Sequence, residues 1–308
     1  MTLAHPRSTR ITVPSIVDRK RPAASGDRRP IIALTAYDYT MARLLDQTGE
    51  VDLLLVGDSA ACVVQGHSTT LPITLEEMIY HSRCVVRGTE HALVVGDLPF
   101  NSYQPSLERA IEAAGRMMKE AGVAAVKLEG GVHLSKTIEA LTQVDIPVVA
   151  HIGLTPQSYH RMGGHRTQGR SRAGELLGPQ HLPPFGSRER ILLDAEAVAN
   201  AGAFAVVLEG IPHDLAAEIT QLLPIPTIGI GAGPDCDGQI LVSYDMLGSD
   251  PTFRPRFLKQ YADLHGVVHD AVGRFAQEVR AGVFPVRDTS LVSKESKDTD
   301  PTALAGII

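Results

Sequence analysis

Residues 92–100 read ALVVGDLPF, an unbroken apolar run that stops at Gly96, Asp97 and Pro99. A strand with apolar side chains at successive positions, without polar alternation, is buried on both faces, which is the mark of a parallel sheet. The same pattern recurs outward in both directions, as 51-VDLLLVGDS and 31-IIALTAY before it and as 124-AAVKLEGG, 147-PVVAHIG, 204-FAVVLEGIP, 226-PTIGIGAG and 239-QILVSYDMLG after it. Eight such runs in 308 residues, most of them followed by helix-like sequence, predict a (β/α)8 barrel in the α/β class.

The connecting segments carry helix punctuation. Thr74 and Glu77 have the spacing of a capping box ahead of a helix ending near Gly88. Ser106 precedes Leu107, Ala110, Ile111, Ala114, Met117, Met118 and Ala121, one helical face that Gly122 stops. The barrel is expected over residues 31–286, with an inserted Gly/Pro/Arg-rich loop near 161–190. Residues 1–30, with seven Arg/Lys against two Asp, read as a basic arm, and 287–308 as a frayed polar tail.

Lys+Arg 29 against Asp+Glu 35 leaves a formal net charge of −6, which argues against nucleic acid or an anionic membrane as partner. There is neither a membrane-length apolar run nor a secretory apolar core, so a cytoplasmic protein is expected. Cys62, Cys84 and Cys236 form no CxxC pair and read as free thiols.

Loops after the strands of a parallel barrel share one rim, so polar residues ending successive strands converge there. Asp58, Asp97, Lys127, Glu129, His151 and Glu209 all hold such positions. Asp58 and Asp97 are either turn and cap residues or ligands of a hard cation, with Glu129 a direct or water-mediated third; an all-oxygen set suits Mg²⁺. Lys127 is either the salt-bridge partner of Glu129 or a cation for a substrate carboxylate or enolate oxygen. Glu209, in the apolar setting AVVLEGIP, has the environment of a general base, against the alternative of a helix cap. His151 is either a substrate hydrogen-bond donor or a core histidine. The glycines of 229-GIGAG lack the spacing of a dinucleotide fingerprint.

The phrases 35-TAYDYTMA, 56-VGDSAACVVQGH, 96-GDLPF, 127-KLEGG, 151-HIGLTPQS, 228-IGIGAG and 237-DGQILV, in this order over roughly residues 12–286, closely resemble the ketopantoate hydroxymethyltransferase family. The resemblance implies a barrel of the phosphoenolpyruvate/pyruvate superfamily type, assembled as a homo-oligomer, usually a decamer. It also implies transfer of a one-carbon unit from 5,10-methylenetetrahydrofolate to 2-oxoisovalerate, giving ketopantoate for pantothenate and coenzyme A synthesis. Family metal ligands match Asp58 and Asp97, with Glu129 bound through water. Family 2-oxo-acid contacts match Ser59, Asp97 and Lys127, and the family's proposed base matches Glu209. Departures from the family pattern are Ser68 after QGH, 288-DTSL, an insertion around 174–188, and Gly210 where a bulkier residue is expected. These departures suggest wider acceptance of 2-oxo acids, with Gly210 opening space beside Glu209. The competing functions are a paralogue acting on another 2-oxo acid, a related Mg-dependent lyase or mutase, and a non-catalytic barrel.

Overall fold

The computed structural model describes residues 10–20, 29–171 and 182–286. Eight parallel strands close in sequence order into a barrel. They are β1 (Ile31–Thr35), β2 (Leu53–Val56), β3 (Leu93–Asp97), β4 (Ala125–Glu129), β5 (Val148–Gly153), β6 (Ala205–Glu209), β7 (Thr227–Ile230) and β8 (Gly238–Leu241). Each falls within one of the eight apolar runs or overlaps it closely. Before β1 lies α1 (Val13–Val17); α2 (Tyr39–Asp46), α3 (Ala60–Val63), α4 (Leu75–Gly88) and α5 (Leu107–Arg116) follow in the first half. The second half carries α6 (Ser135–Gln143), α7 (Tyr159–Met162), α8 (Arg188–Asn200), α9 (His213–Leu222), α10 (Ser243–Met246) and α11 (Leu264–Arg280).

Alternation along the strands divides the apolar residues into two cores. Leu53, Leu55, Val95, Val149, Val207, Ile228 and Ile240 fill the barrel, while Leu54, Val56, Val94, Val126, Ala150 and Leu208 face the helical shell. The Thr74–Glu77 capping box is formed in both directions, and Ser106 caps α5, whose last turn widens over Met117–Ala121 before Gly122.

The segment read as a basic arm does structural work at the barrel floor. Thr12 caps α1, and Ile16, fully buried, joins the interior cluster of the barrel. Arg19 pairs with Asp52 and Lys20 with Asp237, at 2.5 and 2.9 Å. Asp52 accepts from the Ile32 N–H and Asp237 from the Thr227 N–H, so both ion pairs also fix strand ends. Arg19 and Lys20 thus serve the barrel itself, which composition alone does not reveal.

The shell is uneven. Residues 231–237 join β7 to β8 without a helix, and α11 has no buried residue. Residues 172–181, most of the unusual insertion, and the tail 287–308 lie outside the described residues. Among the described residues no disulfide joins Cys62, Cys84 or Cys236, and no helix is long and apolar enough to cross a membrane.

Candidate active site

Every ionisable residue singled out at a strand end lies at the C-terminal mouth of the barrel. Asp58 follows β2, Asp97 ends β3, Lys127 and Glu129 lie on β4, His151 on β5, and Glu209 ends β6. Strand register sets Asp97 beside Lys127 and Glu129 beside His151. Asp58, Asp97, Lys127, Glu129 and His151 are all at most 5% exposed.

These groups form a continuous charged chain. Lys127 Nζ lies 2.7 Å from Asp97 Oδ1 and 3.2 Å from His151 Nδ1. His151 in turn stands 3.3 Å from Glu129 Oε1 through Nδ1 and 3.1 Å from Glu209 Oε2 through Nε2. The Asp58 N–H donates to Asp97 Oδ2 at 3.1 Å. Lys127 therefore neutralises Asp97 rather than closing a simple pair with Glu129. Glu209 is not enclosed by apolar groups as its sequence surroundings suggested; its side chain is 22% exposed at the mouth and pairs with His151.

Burial, with the like charges of Asp97 and Glu129, pushes the Asp58 carboxyl well above the usual range. Burial also raises Asp97, against the pull of Lys127. Burial acts the same way on Glu129, but His151, Lys127 and the Gln157 N–H outweigh it and hold this carboxyl low. Burial and Lys127 lower His151, yet its two glutamate partners win and raise it to about 9. Three carboxylates likewise keep Lys127 above its ordinary value in spite of burial. The site is thus a compact set of charges that neutralise one another with little water.

Two neutral residues organise it. Gln157, in the turn Pro156–Ser158 after β5, donates through Nε2 to Asp58 Oδ2 at 2.9 Å and to Leu98 O at 3.0 Å, while its N–H donates to Glu129 Oε2 at 2.9 Å. Tyr103 donates its hydroxyl proton toward Gln157 Oε1 at 2.6 Å, and its oxygen accepts from the Glu129 N–H at 3.1 Å. Ser59, the residue before α3, shares a 2.8 Å hydroxyl contact with Tyr37. Sequence reasoning weighted ionisable side chains and passed over Gln157, Tyr103 and Tyr37, although 151-HIGLTPQS and 35-TAYDYTMA contain two of them.

The acidic side of the site suits a cation. Asp58 is buried against the like charges of Asp97 and Glu129, a repulsion that a bound cation relieves. Among the described residues no three His, Cys, Asp or Glu side chains converge as a ready-made metal cage. Two carboxylates with water and substrate oxygens are what a hard ion such as Mg²⁺ commonly accepts.

Gly210 has a backbone reason to be glycine. Its φ is +58°, a region L side chains rarely adopt, and an added Cβ would stand 3.1 Å from Leu154 Cβ. The position faces the strand-five loop, so the expectation that it opens space beside Glu209 does not follow from its geometry.

The chain is 52% identical over 281 residues to the 3-methyl-2-oxobutanoate hydroxymethyltransferase of Pelobacter propionicus, covering 91% of this chain and 97% of that one. It is likewise 52% identical to the protein of that name from Geotalea daltonii, over 90% and 97% of the two chains. Among solved structures it resembles 2,3-dimethylmalate lyase of the PEP mutase/isocitrate lyase superfamily, at 17% identity and a TM-score of 0.54 over 91% of each chain. That likeness is one of fold. A family model described as ketopantoate hydroxymethyltransferase matches residues 10–287, and the chain belongs to that family.

Proposed function

We propose that this chain transfers a one-carbon unit from 5,10-methylenetetrahydrofolate to C3 of 3-methyl-2-oxobutanoate, forming ketopantoate. The observation that carries the reading is the linked set Asp97–Lys127–His151–Glu209, running from the buried interior to the open barrel mouth, in a sequence half-identical to proteins named for this reaction. Asp58 and Asp97 are the residues that would hold Mg²⁺, with Glu129, turned toward His151 and Gln157, reaching it through water. When bound, the ion supplies Lewis-acid polarisation of the 2-oxo group, which acidifies the C3 proton.

Lys127 adds a fixed positive charge for the substrate carboxylate and the developing enolate oxygen. Glu209, the most exposed carboxylate of this set, takes the C3 proton, and His151 holds its oxygen in place. The C3 carbanion equivalent then forms the new carbon–carbon bond to the donor's methylene. That carbon's two bonds to folate nitrogen break, protons return to nitrogen, and water provides the hydroxyl.

The test is exchange of the C3 proton of 3-methyl-2-oxobutanoate in D₂O with Mg²⁺, followed by NMR. Glu209→Gln should slow exchange by about 10²-fold or more while substrate still binds. An unchanged rate removes Glu209 from the role of base.

A further inference from the structure

We propose that Tyr37 is a positioning residue for the 2-oxo acid: its hydroxyl donates to Ser59 Oγ and so leaves the Ser59 proton for an oxygen of the bound substrate. This role presupposes the function proposed above, with Ser59 among the 2-oxo-acid contacts that the family resemblance implies.

The ring of Tyr37 is held from several sides. The residue follows β1 and is 1% exposed. Its ring stacks on Tyr244 of α10, with centroids 5.7 Å apart and planes 8° from parallel, and its carbonyl accepts from His81 Nδ1 of α4 at 2.7 Å. At the far end the phenol oxygen stands 2.8 Å from Ser59 Oγ. Ser59 is only half-buried, next in sequence to Asp58. Its Oγ lies over Gly57, where an added Cβ would stand 2.7 Å from Ser59 Oγ and 3.7 Å from Asp97 Oδ2. The serine hydroxyl therefore sits beside the acidic side of the site, while its phenol partner stays in the core.

The groups behind the phenol set the sense of donation. A backbone N–H can only donate, and that of Ser243 donates to Thr35 Oγ1 at 3.0 Å. The Thr35 hydroxyl in turn hydrogen-bonds the Tyr37 phenol, and the phenol meets Ser59. At the other end an oxygen of an ionised 2-oxo acid can only accept. Three hydroxyls between a donor and an acceptor satisfy both ends when every proton points the same way, from Thr35 to Tyr37 to Ser59 to substrate. A phenol, with an ordinary pKa of about 10, keeps its proton for this at neutral pH. A serine hydroxyl on its own rotates among staggered positions, and the hydrogen bond from Tyr37 removes that freedom before the substrate arrives.

The test is calorimetry of 3-methyl-2-oxobutanoate binding to the full chain saturated with Mg²⁺, without the one-carbon donor. Tyr37→Phe keeps the stacked ring and should weaken this binding about tenfold, the worth of a hydrogen bond to an ionised partner, while Mg²⁺ affinity stays unchanged. In turnover KM should rise by the same factor with kcat little altered. Ser59→Ala should weaken binding similarly, and the double variant no more than Ser59→Ala alone, because Tyr37 acts only through Ser59. Native-like binding in Tyr37→Phe would overturn the proposal. So would a parallel loss of Mg²⁺ affinity, or losses that multiply in the double variant, since either marks a phenol that merely supports the fold. Native protein that does not bind 3-methyl-2-oxobutanoate would refute the functional reading itself, and the role of Tyr37 with it.

Discussion

Replacing Gln157 by Met keeps the volume of the side chain and removes its amide. In the native site that amide donates to Asp58 Oδ2 and Leu98 O, and accepts from Tyr103. Tyr103 retains its contacts with Glu129 and loses little. Asp58 and Leu98 O lose a donor where water is scarce, since Asp58 is 3% and Leu98 0% exposed. A buried acceptor deprived of its partner costs about 1–3 kcal/mol, more for a carboxylate, so the variant should lose about 3–5 kcal/mol. Urea unfolding at pH 7 measures this as a lower midpoint with an unchanged slope. Gln104 donates to the same Gln157 oxygen at 3.2 Å but is exposed, and Gln104→Ala should cost about 0.5 kcal/mol or less. Calorimetry should find weaker Mg²⁺ binding in Gln157→Met and unaltered binding in Gln104→Ala. Equal losses of stability in the two variants would refute the reasoning that Gln157 is the buried hub.

Ile16→Ala should destabilise the protein by about 2–5 kcal/mol, the cost of emptying a buried site, as read by urea unfolding; a loss below about 1 kcal/mol would mean that α1 does not plug the barrel. Gly210→Ala should cost about 1–2 kcal/mol in the same assay and leave the ratio of rates on 3-methyl-2-oxobutanoate and longer 2-oxo acids unchanged, because the added methyl meets Leu154. Burial and the neighbouring Asp250 raise the Asp245 carboxyl to about 6, so the folded protein binds a proton there that the unfolded chain has released between pH 3.8 and 6. Stability from this group is present below pH 3.8 and lost as the pH rises through 6; Asp245→Asn should therefore raise the melting temperature at pH 7 and not at pH 4.

The strands were legible because both their faces are apolar, and an uninterrupted run such as 92-ALVVG leaves few other folds for the chain. Helix ends were legible where a local bond decides them, as at Thr74 and Glu77. The ionisable residues of the site could be gathered because a parallel barrel sends all its strand ends to one rim. What lay beyond the sequence were pairings set by closure. Ile16 reads as one apolar residue in a basic segment, and only the closed floor gives it a cavity to fill. Gln157 is a neutral residue in a turn, with nothing in its neighbours to announce its four buried contacts, with Tyr103, Glu129, Asp58 and Leu98. The apolar residues of α11 have the spacing of a packed helix face, yet none of them is buried, which the pattern alone does not show.

The tie between Lys20 and Asp237 spans 217 positions, and the strand pair it guards joins Ile31 to Gly238. During synthesis the beginning of the chain must wait for its own end. At about 5–20 residues per second, roughly 10–50 s pass between the appearance of Ile16 and that of the residues that complete its cavity. Throughout that interval the edge of β1 that pairs with β8 is open and the cavity around Ile16 is incomplete, and strand pairing with a neighbouring nascent chain competes with closure. Arg19 finds Asp52 as soon as β2 emerges, whereas Lys20 stays charged and solvated beside the plug until Asp237 and the last strand arrive and make it the latch.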